Sequence, residues 1–148
     1  MKKKLLLFFF VILVLVAAFF IFSRYKNQLP KCLFVGDTQI SIDIADTPPS
    51  QARGLSGRSL LYDIEGMLFL FPQDGKYGFW MKDMQFPIDI IWLDKDWKIT
   101  EVTTSIDPST YPTIFYSRDP VRAVLEVAAG FAERHGVKTG DKVTLCPR

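Results

Sequence analysis

The feature that most constrains this chain is the apolar run from Leu5 to Phe22, which contains no charge, proline or glycine. As a helix rising about 1.5 Å per residue it spans about 27 Å, close to the hydrocarbon thickness of a bilayer. Lys2, Lys3 and Lys4 precede the run, and Arg24, Tyr25 and Lys26 follow it. A basic start followed by an apolar run is the layout of a signal sequence or a signal anchor. Val16-Ala17-Ala18 offers a cleavage site, but Phe19-Phe20-Ile21-Phe22 extends the run beyond it. The reading is an uncleaved single-pass anchor in the cell (inner) membrane; a secreted or periplasmic protein after cleavage is the alternative. Flanking charge gives almost no bias in orientation. The amino-terminal signal layout places the start inside and the domain outside the cytoplasm. The expected organisation is a basic segment over 1–4, a bilayer span over 5–22, a tether over 23–31 and a globular domain over 32–148. No pair of glycines is spaced for helix dimerisation in the span, and oligomeric state stays open.

Separating residues 1–30 changes the meaning of the charge. The chain carries 18 Lys and Arg against 16 Asp and Glu, a formal net of +2. Five of the basic residues and none of the acids fall in residues 1–30, which leaves 13 basic and 16 acidic residues and a net of −3 for the rest. The sequence pI of about 8.5 therefore belongs to the amino-terminal segment. Without a basic stripe, nucleic acid is not an expected partner.

Within the domain, turn residues punctuate short apolar stretches. Gly36-Asp37 is a two-residue turn with glycine first, suited to a type II′ hairpin between strands over 31–35 and 38–45. Two-residue pairing sets Leu33 opposite Ile40 on the buried face and Cys32 opposite Ser41 on the outer one. Thr47 and Pro48 open a short helix that Gly54 ends. Gly66 to Phe71 reads as a strand buried on both faces, Gln73-Asp74-Gly75 as a turn, and Tyr77–Met81 and Ile88–Leu93 as strands. Asp94-Lys95-Asp96 is a turn before a strand over 97–104. Residues 107–120 read as loop, 122–127 as strand, 131–135 as one or two helical turns, and 142–146 as the last strand. Many short strands between turns predict a mainly β domain, a compact β-sandwich or open barrel with one or two short helices.

Five short stretches carry a family resemblance. They are Ala52-Arg53-Gly54-Leu55 with Arg58, Gly66-Met67-Leu68-Phe69, Phe79-Trp80-Met81-Lys82, Pro87-Ile88-Asp89-Ile90-Ile91, and Gly140-Asp141-Lys142-Val143. In that order, over about residues 33–146, they resemble domain of unknown function family 192, also known as uncharacterised protein family 0127. The resemblance implies a prokaryotic protein, often with a signal sequence, and a compact mostly-β fold; it implies no agreed activity. The chain departs from the family pattern at Ser56 and at Asp83-Met84.

The candidate ligand-binding residues are Arg53, Arg58, Trp80, Lys82, Asp89 and Glu126. Asp89 stands between isoleucines, where a carboxylate is expensive to bury unless paired or hydrogen-bonded. It is either half of an ion pair with Arg53, Arg58 or Lys82, or an acid lining a pocket. Glu126, in Val124-Leu125-Glu126-Val127, repeats the pattern and raises an acid/base pair with Asp89 against a second structural bridge. Arg53 and Arg58 offer guanidinium forks for anionic or sugar oxygens. Trp80 either stacks on a sugar ring or supplies core area. Cys32 and Cys146 both fall on outer faces; they form a disulfide if first and last strands are neighbours, and are otherwise two surface thiols. Their spacing, with a single His135, excludes a zinc site. No nucleophile elbow, phosphate loop or dinucleotide fingerprint is present, and no cofactor is expected. The expected function is a binding or accessory module for a small polar or cell-envelope ligand, rather than an enzyme. The alternatives are a hydrolase or lyase on envelope material using Asp89 and Glu126, and a structural partner of another membrane protein.

Overall fold

Gly36, at φ +59°, turns the chain between β1 (Cys32–Val35) and β2 (Thr38–Ala45), and Asp37 keeps a negative φ. The resulting register sets Leu33 against Ile40 and Cys32 against Ser41, as the two-residue turn requires. The computed structural model describes residues 11–18 and 31–147. Residues 11–18 form a helical segment, α1, with exposed apolar side chains. Among the described residues no helix is long and apolar enough to cross a membrane. The span expected over 5–22 lies outside the described residues except for 11–18, as does the tether apart from its last residue.

After β2, Thr47 caps α2 (Pro48–Arg53): Thr47 Oγ1 accepts from the Ser50 N–H, and the Thr47 N–H donates back to Ser50 Oγ. This reciprocal arrangement satisfies two amide donors that a helix start leaves unpaired. The chain continues through β3 (Glu65–Gly75), β4 (Ile88–Leu93), β5 (Ile99–Ile106), a 3-10 turn (Pro108–Thr110), β6 (Val121–Ala128), α3 (Phe131–Arg134) and β7 (Val143–Leu145).

The seven strands form one sheet in the order β5-β4-β6-β3-β2-β1-β7. All pairings are antiparallel except β2 with β3. The sheet curls until its two edges meet at a bridge between Lys98 and Lys142. There the Ile99 N–H donates to Asp141 O at 2.8 Å and the Val143 N–H to Trp97 O at 2.9 Å. The architecture is a half-barrel in one sheet, not two packed sheets, and it protects the edge strands that an open sheet would expose.

Each face of the sheet carries its own core. One holds Leu33, Ile40, Ile42, Leu68, Ile91, Leu93, Leu125 and Val127, closed by Phe131 of α3. The other holds Met67, Phe69, Ile90, Trp92 and Val124, covered by Leu55, Phe79 and Met81. Every residue of β4 is consequently buried. First and last strands are neighbours, and a disulfide joins Cys32 to Cys146 with Cα atoms 5.5 Å apart.

Two local expectations are corrected. Gln73-Asp74-Gly75 is not a turn but the end of β3, where Gly75 pairs with Val121 after the register shifts past Leu70. Pro72 lies within that irregular stretch, where a missing amide donor costs no ladder bond. Tyr77–Met81 is not a strand; only Phe79 pairs, with Phe115 of the loop before β6. Tyr77, Phe79 and Met81 pack against the sheet instead of extending it.

Candidate functional site

The pairing of β4 with β6 sets Asp89 opposite Val127 and Ile90 opposite Glu126. Side chains alternate along strands, so the two acids point to opposite faces of the sheet. They do not form an acid/base pair, and the expectation that joined them is corrected by that one-residue offset.

Asp89 lies on the face covered by α3 and is fully buried. Its Oδ1 accepts from the Ser105 N–H at 2.8 Å and the Gly130 N–H at 3.1 Å, and its Oδ2 accepts from the Ala132 N–H at 3.0 Å. Each donor lacks another route to a partner. Ser105 has φ +52° and stands where β5 bulges between its pairings to Ile88 and Ile90. The bulge leaves its amide outside the ladder. Gly130 is the N-cap of α3 and has no side chain to cap with. Asp89 therefore caps a helix and stitches a bulge. It is neither paired with Arg53, Arg58 or Lys82 nor set in their cavity, so its place in the expected constellation is corrected.

Glu126 faces the other way. Its side chain is buried, and Oε2 has no hydrogen-bond partner. Burial pushes its carboxyl up to about 8, against a smaller opposing pull from the Arg58 charge. Near neutral pH the group is thus mostly a neutral acid, able to donate as well as accept a hydrogen bond. It borders a cavity of about 240 Å³ walled by Phe69, Phe71, Tyr77, Phe79, Trp80 and the carboxy-terminal turn of α2.

The aromatic wall is built by packing within it. Phe71 stacks on Tyr77 at 3.5 Å, and Phe79 meets both Phe69 and Trp92 edge to face, at 4.9 and 5.5 Å. Tyr77 is further held by its hydroxyl, which donates to Gln73 O at 2.6 Å. Two glycines make the approach possible. Gly54, at φ +52°, lies so close to Phe69 that a Cβ would stand 3.3 Å from its ring. A Cβ on Gly78 would meet Ile114 at 2.7 Å. Gly78 thus lets the loop before β6 close on the segment that carries Trp80, which remains 48% exposed at the mouth.

A second cavity, of about 450 Å³, adjoins the first and shares Arg53, Gly54 and Ser56 with it. Arg58 lines the second cavity, where its guanidinium donates to Asp43 Oδ2 at 2.6 Å. Arg53 has no ion pair among the described residues. Lys82 lines neither cavity and is exposed; its backbone O accepts from Ser56 Oγ at 2.8 Å. Of the six expected residues, Arg53, Trp80 and Glu126 converge on the first cavity, Arg53 and Arg58 on the second, and Lys82 and Asp89 lie outside both. Tyr77, Phe71 and Gln51 also line the first cavity but were not singled out from sequence. The two glycines and three aromatics gathered over 75–80 were the available signal.

One polar chain lies elsewhere. Asp63 binds both Arg134 and His135, with His135 Nε2 at 2.8 Å, and His135 Nδ1 lies 3.1 Å from Thr38 Oγ1. Hydroxyl, imidazole and carboxylate occur in the order of a hydrolytic triad, but neither cavity adjoins them, and they serve as a clasp between α3, the 54–64 loop and the first hairpin. Among the described residues no three His, Cys, Asp or Glu side chains cluster in a way that could hold a metal ion.

The profile of DUF192, described as "Uncharacterized ACR", matches residues 32–145. No curated protein matches the chain. Solved structures similar to the chain include two proteins. One, described as a "putative transcription regulator" from Sinorhizobium meliloti 1021, is 30% identical with a TM-score of 0.71, over 76% of this chain and 88% of that one. The other, a protein of unknown function from Novosphingobium aromaticivorans DSM 12444, is 34% identical with a TM-score of 0.70, over 77% and 82% of the two chains.

Proposed function

The chain belongs to the DUF192 family, and from that premise and the geometry of the cavity we propose that it is a membrane-anchored extracytoplasmic binding module for a small polar ligand of the kind found in the cell envelope. One observation carries the binding role: a buried carboxyl oxygen without a partner at an aromatic-walled cavity. An unsatisfied buried polar atom costs about 1–3 kcal/mol, and a ligand hydroxyl or amide reaching Glu126 would recover that cost. The aromatic walls supply flat apolar area, and the exposed face of Trp80 suits a sugar ring.

The anchor rests on the apolar run over 5–22, and the placement outside the cytoplasm is supported by the Cys32–Cys146 disulfide, since such bonds persist in oxidising compartments. Regulation through DNA, suggested by the description of the S. meliloti protein, has little electrostatic support in a domain with net charge −3.

The test is a titration of the full-length protein with glucose, followed by tryptophan fluorescence and calorimetry. Binding should appear in the wild type and be lost in Trp80→Ala and Glu126→Leu, while Asp89→Asn retains it in whatever fraction remains folded. If the cavity variants stay folded and fully complement a deletion strain, the binding role is wrong.

A further inference from the structure

The first cavity, at about 240 Å³, falls below the roughly 300–1,000 Å³ usual for small-molecule sites. The larger neighbour, about 450 Å³, lies across a ridge formed by Arg53, Gly54 and Ser56. The two differ in chemistry. The first is aromatic, with one acid that is mostly neutral near pH 7. The second is polar, and its charged lining is Arg53, Arg58 and Asp43. Arg58 spends one nitrogen on Asp43, while Arg53 has no ion pair among the described residues. Two guanidinium groups against one carboxylate leave this cavity with an excess positive charge, on a domain whose own net charge is −3.

Resting on the binding role proposed above, we infer that the two cavities form one site for an anionic sugar, with the ring against Trp80 and Glu126 and a phosphate or carboxylate held by Arg53 and Arg58. The forked donors of arginine match both anions, and Arg53 lines both cavities, so one side chain links the ring pocket to the anion pocket. Asp43 competes with the anion for Arg58 and sets an internal control: removing its charge should strengthen anion binding.

The experiment titrates the full-length protein with glucose, glucose 6-phosphate, galacturonate and inorganic phosphate. Glucose 6-phosphate or galacturonate, or both, should bind about tenfold or more tighter than glucose or phosphate, and which of the two gains identifies the anion. Arg58→Ala should erase that preference, and Asp43→Asn should enlarge it. Glucose binding with no preference for either anionic sugar, or a preference that survives Arg53→Ala with Arg58→Ala, overturns the two-cavity site and leaves the binding role standing. Absence of binding by all four compounds overturns both.

Discussion

Asp89 and Glu126 are buried carboxyls on neighbouring strands, one residue out of register, and their surroundings are opposites. Asp89 meets three backbone N–H groups, while Glu126 borders a cavity and its buried Oε2 finds no partner. Burial costs both groups their hydration, but only Asp89 is compensated from within the fold. A buried carboxyl is therefore no mark of a site; the mark is a buried carboxyl that the fold leaves unsatisfied. Neighbouring strands thus place a structural acid on one face and a candidate binding acid on the other.

The contrast is sharpest in pH dependence. The folded state raises Glu126 from 4.5 to about 8, so it keeps a proton that the unfolded chain releases. Its contribution to stability should be full below about pH 4.5, fall by about 1.4 kcal/mol per unit above that, and level off past about pH 8, at most roughly 4–5 kcal/mol in all. Urea unfolding at a series of pH values should show this decline in the wild type and a flatter profile in Glu126→Gln. Coincident profiles would break the contrast. Next in size is Asp89→Ala, which orphans three amides and should cost about 3 kcal/mol or more by the same measurement, with Asp89→Asn milder because it keeps one acceptor oxygen. Glu126→Leu should move the other way, gaining about 1–2 kcal/mol near pH 8, because an apolar group replaces an unpaired acid. If Glu126→Leu costs as much as Asp89→Ala, the two carboxyls are structurally equivalent after all. The smallest effect belongs to Asp63, whose side chain is 43% exposed. Hydrogen bonds from Arg134 and His135 hold its carboxyl below 3.8, so its contribution is present above that pH and is lost as pH falls below it. Solvent screening keeps Asp63→Asn under about 1 kcal/mol, read as a small drop in melting temperature at pH 7 that disappears in acid.

Much of the fold was legible in local pattern. Gly36-Asp37 set the hairpin register, Thr47-Pro48 the start of α2, and the unbroken apolar run Gly66–Phe71 a strand covered on both sides. Legibility failed where tertiary contact overrode local chemistry. Gln73-Asp74-Gly75 read as a turn because its place in an irregular strand depends on β6. The aromatics over 77–81 read as a strand because β propensity and core filling draw on the same residues. The candidate site was half legible. Arg53, Trp80 and Glu126 were singled out together with Asp89, but the partners that set Asp89 apart lie 16, 41 and 43 residues away in sequence. No short window contains Ser105, Gly130 and Ala132 beside it.

The disulfide between Cys32 and Cys146 has a consequence for engineering. The domain's chain enters and leaves through nearly the same point, with Cα atoms 5.5 Å apart. A unit with such ends can be inserted into a loop of a host protein without prying the host apart. A linker of a few residues could join 31 to 147, with new termini opened at the exposed Gly36-Asp37 turn. Such a circular permutant would leave the cavity walls, which lie between residues 43 and 126, untouched.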